Sequence, residues 1–536
     1  MLNRLILFLL LVLVALGYEP LIQNVGGRKT TSLNGVWNYI VDPYENGYYD
    51  YRYTPFDNYG DPSKSGGYFT NQKPVKPWDR VEYDFDLSET MDVPGDWNSQ
   101  KEKLYYYEGT IWLKKSFDYT RAASGNRVFI HFGAANYQAD VYVNGHKLGM
   151  HKGGFTPFNF EITELLKDRD NFLIVKVDNK RKKDEVPTVN TDWWNFGGLT
   201  RDVEIVEVPE TFVRDYFVQL EKDSRRIIAG YIQLDGPGKA KRKVELRIPE
   251  IKLKKKLKTD DQGRAQLSIS SKRIKYWSPE NPKLYDVIIK SGDEEIHDQI
   301  GFRTIQTKGS DILLNGAAIF LKGISLHEEN PLRGGRAHSM EDAHLLLGWA
   351  KELGCNYVRL AHYPHNENML HLADQMGMLV WEENPVYWTI SWENEKTYST
   401  AQQQLSEVIS RDKNRASVII WSMANETPVS DARMDFLKRL RDFTLEVDDT
   451  RLISAALEMH GEGEGGLTRK ISDPFAEYVD VLSFNQYIGW YDGLPEKCDQ
   501  IKWAIDQNKP VIISEFGGGA LQGLHGDSLT IWTEEF

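Results

Sequence analysis

Two glutamates stand where apolar, strand-like runs stop. Ser417-Val418-Ile419-Ile420-Trp421-Ser422-Met423-Ala424 ends at Asn425-Glu426, and Val511-Ile512-Ile513-Ser514 ends at Glu515-Phe516-Gly517-Gly518. In an α/β barrel the C-terminal strand ends build the active site, so these carboxylates face one pocket from opposite sides. Such a pair suits glycoside hydrolysis: one carboxyl protonates the leaving oxygen while the other attacks the anomeric carbon. In a retaining pair the carboxyls lie ~5–5.5 Å apart. Either glutamate alone reads as a strand end in solvent. Both together, after strands of matching register, read as catalytic.

The elements that must position them begin after Gly301-Phe302-Arg303, where helical patterns alternate with short apolar strands, as in a parallel βαβ arrangement. Strands are expected at 319–323, 357–361, 378–381, 418–423, 452–456, 479–484 and 511–514. Ser339-Met340-Glu341-Asp342 signals a capped helix that Gly354 closes; Asn366 caps a second, from Glu367 to Met376, with Gly377 at its end. The stretch between Glu426 and Glu515 fits three βα units of roughly 30 residues each.

The preceding chain is β-rich. Short strands and an Asn144-Gly145 hairpin signal predict an all-β jelly-roll sandwich over residues 18–208. Residues 209–303 hold seven short strands and read as an immunoglobulin-like β-sandwich. Residues 304–536 then read as a (β/α)8 TIM barrel lacking its last strand. At 536 residues the chain has room for about three such domains.

Composition narrows the function. A net charge of −13 with no basic stripe excludes nucleic acid as partner. The lysines at 252, 254, 255, 256 and 258 alternate partly with Ile251, Leu253 and Leu257 and read as the solvated face of an edge strand. Aromatics at 12% suit either sandwich cores or stacking on sugar rings. Arg4 and the apolar run from Leu5 to Leu16 read as a signal peptide over residues 1–17. That run is shorter than the ~20 residues of a membrane-spanning helix. The expected location is therefore secreted or periplasmic, with no stable membrane insertion after cleavage. Cys355 and Cys498 are the only cysteines, so large cores rather than disulfides must hold the fold.

Several separated motifs resemble glycoside hydrolase family 2, whose members combine a sugar-binding jelly roll, an immunoglobulin-like domain and a barrel. Trp421-Ser422-Met423-Ala424-Asn425-Glu426 resembles the family's acid/base motif, and Ile513-Ser514-Glu515-Phe516-Gly517 its nucleophile motif. Leu360-Ala361-His362-Tyr363-Pro364 and the signature from Asp192 to Asp202 match further segments. The resemblance implies a retaining exo-β-glycosidase with Glu426 as acid/base and Glu515 as nucleophile. It implies that Asn425 bonds the sugar 2-hydroxyl, Arg359 keeps Glu515 ionised, and Tyr487 bonds the nucleophile. His362 and Asp192 would contact sugar hydroxyls, the latter from the jelly roll. His327, in Ser325-Leu326-His327-Glu328-Glu329, is a further candidate. Trp193 and Trp194 read equally as interface packing and as substrate platforms.

The segment from Asn485 to Tyr491, with Tyr487 and Trp490, is similar to a stretch of family 2 β-glucuronidases. The region Trp381–Trp388 lacks the His of the magnesium site in the family's β-galactosidases. No metal and no cofactor is expected, the partner is a carbohydrate substrate, and a homo-oligomer is left open. β-Glucuronidase is favoured over β-galactosidase. The alternative of another class is a non-catalytic carbohydrate-binding protein or an inactive fragment. The family's strand eight, with its sugar-stacking Trp and an Asn-x-Lys pair for the uronate carboxylate, is expected beyond Phe536, which itself falls within an expected seventh helix. The chain is accordingly expected to be a fragment or an interrupted reading frame, with open edges on its first and seventh strands.

Overall fold

A computed structural model describes residues 20–58, 65–74, 76, 78 and 83–536. The expected leader at residues 1–17 lies outside the described residues. Two antiparallel sheets face each other in the first part of the chain. One runs in the order Thr90–Val93, Gly35–Val41, Thr110–Phe117, Asn171–Asp178, Gln138–Val143, His146–Lys152, the other Thr30–Ser32, Val203–Val208, Arg127–Phe132, Phe158–Glu161. Alternation along these strands turns Ile111, Leu113, Val128, Ile130, Val141 and Val175 into a shared core. The Asn144-Gly145 turn joins Gln138–Val143 to His146–Lys152, as expected.

The next sandwich packs Phe212–Leu220, Ile227–Asp235 and Arg264–Ser270 against a sheet ordered Leu253–Lys258, Lys243–Ile248, Leu284–Ser291, Glu294–Gly301. The lysine-rich strand is an edge strand, paired only with Lys243–Ile248. Its charges sit where they discourage pairing with another chain.

The last part of the chain runs β1 Gly323–Leu326, α1 Met340–Glu352, β2 Tyr357–Leu360, α2 Glu367–Met376, β3 Leu379–Glu383, α3 Glu395–Asp412, β4 Val418–Asn425, α4 Asp431–Val447, β5 Leu452–Leu457, β6 Leu482–Asn485 and β7 Val511–Glu515. Its seven strands lie side by side, all parallel, in chain order. Ser339 caps α1, and the Asp342 carboxylate returns to the Ser339 amide in a reciprocal capping box. Asn366 opens α2 and Gly377 closes it.

Three expectations are corrected. The first barrel strand is β1, not residues 319–323. The run before it closes a small antiparallel sheet of Ile305–Lys308, Asp311–Leu314 and Ala317–Ile319, because the Asn315-Gly316 turn folds it back as a hairpin. Of the three crossovers between Glu426 and Glu515, only the first is an α-helix. The others carry 3-10 turns at Pro474–Glu477 and Pro495–Gln500. Residues 516–536 form turns and no helix, in keeping with Gly517, Gly518, Gly519, Gly523 and Gly526, which disfavour one.

The first and last strands approach each other without forming a ladder. The Ser325 hydroxyl on β1 donates to the Ser514 carbonyl on β7 at 3.3 Å. The barrel is thus nearly closed, with seven strands where a complete one has eight. Buried ion pairs lock the three parts together. Arg201 of the jelly roll meets Glu328 at 3.0 Å and the Pro364 carbonyl at 2.7 Å. Arg415, just past α3, meets Asp298 of the second sandwich at 2.6 Å.

Candidate active site

Arg359 is the third residue of β2, and its guanidinium lies wholly inside the barrel mouth at 1% exposure. Nη1 donates to Glu515 Oε1 at 2.5 Å, and Nη2 donates to Glu383 Oε1 at 2.9 Å and Asn425 Oδ1 at 2.7 Å. Burial opposes its charge, but Glu383 and Glu515 outweigh that and raise its pKa further. His362 lies just beyond β2, with Nδ1 3.0 Å from Glu383 Oε1 and Nε2 3.7 Å from Glu515 Oε1.

Glu515 ends β7. The Tyr487 hydroxyl donates to its Oε2 at 2.6 Å. Burial pushes the Glu515 carboxyl up, yet Arg359, His362 and Tyr487 together hold it below the usual carboxylate range. Burial and Glu515 push the Tyr487 phenol up, so it stays protonated as a donor. Arg359 and Tyr487 thus meet Glu515, as the family resemblance implies, and His362, expected at a sugar hydroxyl, stands beside the same carboxylate.

Glu426 follows β4 directly and is differently placed. The Trp388 indole donates to its Oε2 at 3.1 Å, and Asn425 Nδ2 lies 3.4 Å from the same oxygen. Among the described residues no cation pairs with it. Its backbone sits in the left-handed region (φ 48°), which costs a non-glycine residue about 1–2 kcal/mol. The neighbourhood holds that turn: the Glu426 amide donates to the Ala456 carbonyl at 2.9 Å, and the Trp388 amide to the Asn425 carbonyl at 3.0 Å. Asn425 Oδ1 also accepts from Asn485 Nδ2 at 3.2 Å.

The jelly roll reaches in. Asp192 accepts from the Tyr387 hydroxyl at 3.1 Å. Trp193 packs its ring 5.8 Å from His362 and 5.0 Å from Tyr387, while Trp194 packs on Tyr105 and Tyr106 instead. His327 lies 3.3 Å from the Tyr363 hydroxyl. Burial, with His362 and Arg336 nearby, pushes it down to about 3, so it is neutral. Trp490 stands apart from the hydrogen-bonded group, packed against Trp532 and Phe536.

Four residues of the cluster escape sequence reasoning: Glu383, Trp388, Glu458 and Asn485. Burial raises the Glu383 carboxyl, but Arg359 first and His362 next hold it at about 2. A signal for it existed. Trp381 and Glu383 share one face of β3 by the two-residue period, and Glu382 on the other face meets Arg411 at 3.1 Å. Burial and the charge of Glu426 raise the pKa of Glu458, beyond β5. Trp388 lies in a loop and Asn485 closes β6, and neither contact follows a period that could be read from sequence.

Comparison with known proteins follows this geometry. Residues 30–209 match a model described as glycosyl hydrolases family 2, sugar binding domain; residues 211–303 match glycosyl hydrolases family 2; residues 305–536 match glycosyl hydrolases family 2, TIM barrel domain. A β-glucuronidase of Paenibacillus borealis is 27% identical, over 95% of this chain and 86% of its own length. A β-galactosidase of Thermoanaerobacter pseudethanolicus is 31% identical, over 82% of this chain and 59% of its own. Among solved structures, the β-glucuronidase of Ruminococcus gnavus aligns with a TM-score of 0.77 at 25% identity, covering 97% of this chain and 88% of that one.

Proposed function

The chain belongs to glycosyl hydrolase family 2 and is a glycoside hydrolase, and from that premise we propose that it removes terminal β-linked sugars with retention of configuration, β-glucuronides foremost. The observation that carries this reading is the unequal setting of the two carboxylates. Glu515 is surrounded by Arg359, His362 and Tyr487, which keep it ionised, as a nucleophile must be. Glu426 meets only the neutral donors Trp388 and Asn425. Environments that separate two carboxyls in this way assign them different roles.

In the first step Glu515 attacks the anomeric carbon as the glycosidic C–O bond breaks, and Glu426 gives its proton to the departing oxygen. A glycosyl ester on Glu515 results. In the second step Glu426 takes a proton from water, whose oxygen attacks the same carbon and releases Glu515. Asn425, fixed by Arg359 and Asn485, is placed to bond the sugar 2-hydroxyl, where contacts tighten in the transition state. Asp192 and His327 line the approach from the jelly roll and from β1.

The glucuronide preference is supported by the segment Asn485–Tyr491 and by the Paenibacillus and Ruminococcus relatives. A β-galactosidase reading has its own support in the Thermoanaerobacter relative, which is the more identical of the two curated ones. Turnover of aryl β-glucuronide and aryl β-galactoside, measured side by side with the product anomer followed by proton NMR, separates the two. Inversion of configuration, or turnover unchanged by Glu515→Gln, overturns the mechanism. Residues 1–17 support export. Protein recovered outside the cytoplasm should begin near Tyr18, and an intact Met1 in that material would count against it.

A further inference from the structure

A recess in the jelly roll shares Trp193 with the candidate active site, and Lys180, Arg181, Lys182, Glu185 and Asn195 help to line it. Trp193 belongs to both places, since it lines the recess and also packs against His362 and Tyr387. Its neighbour Trp194 extends the surface. The rings of Tyr105 and Tyr106 lie 4.9 and 5.6 Å from Trp194, and Tyr106 is 82% exposed.

The recess is cationic in a chain of net charge −13. Its one lining acid, Glu185, is already paired with Lys152 and accepts from the Tyr137 hydroxyl. Arg181 bonds Glu108 at 2.7 Å, which fixes it next to the Tyr105–Tyr106 ridge. Lys182 keeps only a 3.9 Å contact with Asp178, and Lys180 makes no ion pair among the described residues. Two ammonium groups thus remain for a guest, beside aromatic faces that suit the C–H faces of sugars. None of these side chains takes part in the chemistry above.

We propose that this recess, with the Trp194–Tyr105–Tyr106 platform, is the subsite for the reducing-side residues of a carboxylate-bearing oligosaccharide whose terminal sugar enters between Glu426 and Glu515. The assignment rests on the proposed glycosidase reading and deepens it. Its lysines supply charge-assisted bonds to the guest carboxylate, and its rings supply stacking that tolerates several sugars.

The test uses the full chain with Lys180 and Lys182 both changed to Ala, and separately Tyr106→Ala. Three substrates are compared: an aryl β-glucuronide, a β-linked diuronide, and a disaccharide with the same terminal sugar and a neutral reducing-side residue. For the double lysine variant, kcat/KM on the diuronide should fall roughly tenfold or more, the loss of a charge-assisted contact, while the other two serve as references within about twofold. The diuronide's advantage in wild type should shrink as salt rises. Tyr106→Ala should slow both disaccharides and spare the aryl glycoside. An equal fall on all three substrates, or an unchanged diuronide rate, overturns the subsite. If wild type hydrolyses none of them, the glycosidase reading is what fails. Calorimetric binding of the diuronide to wild type and to the lysine variant then decides the subsite alone, and equal Kd values or no binding overturn it.

Discussion

The guanidinium of Arg359 touches Glu515, Glu383, Asn425 and His362, and the consequences of removing it can be separated. Arg359→Gln withdraws the charge that keeps Glu515 ionised, so the nucleophile's pKa rises. The acid limb of the kcat/KM profile, which reports the free enzyme, should move to higher pH. Activity at neutral pH should drop roughly a hundredfold or more. An acid limb left in place would refute the pairing. Glu383 gives a stability counterpart. Its folded value of about 2 lies below the ~4.3 of an unfolded Glu, so its stabilisation is complete above that unfolded value and lost as pH falls toward 2. Glu383→Gln should cost roughly 3–5 kcal/mol near pH 7, because Arg359 is left buried with less compensation. Denaturation curves of the two proteins should converge between about pH 4.3 and 2. Both proposed catalytic glutamates were legible because an apolar run that ends abruptly announces itself. Glu383 was passed over because it reads as a strand residue until its bond to Arg359 is seen.

The barrel helices show which elements a sequence announces. Ser339 and Asn366 marked the starts of α1 and α2, since capping is local chemistry between near neighbours. The start of β1 was misjudged, because an apolar run does not say whether it pairs with its own hairpin or with a strand dozens of residues away. Gly377 shows how an element end serves tertiary packing. It sits at φ 66°, and a methyl there would lie 2.5 Å from the Pro279 carbonyl of the second sandwich. Gly377→Ala should lower Tm, with at least about 1–2 kcal/mol from the backbone alone. Gly348, inside α1 with open space around its missing side chain, predicts the opposite sign. Ala there should stabilise by roughly 1 kcal/mol. Differential scanning calorimetry of the two variants checks both, and a shift of the same sign in each would refute the argument.

At the scale of the whole molecule, three textures of sequence became three packed bodies, and beyond Asp192 and the Trp193-Trp194 pair the sequence did not foretell their docking. Arg201 and Glu328 meet across 127 positions, a pairing without period or motif. Arg201→Ala leaves the buried Glu328 with Arg336, at 3.7 Å, as its remaining cation and the Asn366 amide as a donor, and should cost roughly 3 kcal/mol in denaturant unfolding. A loss under 1 kcal/mol would mean that the jelly roll is held by other contacts. The barrel's one unladdered seam has a different consequence. β7 has a backbone ladder along one side only, and its residues Val511 and Ile513 are 44% and 38% exposed. Its amides should therefore exchange with solvent deuterium sooner than those of β2, which is flanked on both sides. The proposed nucleophile rides on this edge strand. Heating should silence the enzyme several degrees before calorimetry records its melting, and a bound substrate analogue gripping Glu515 should close that interval.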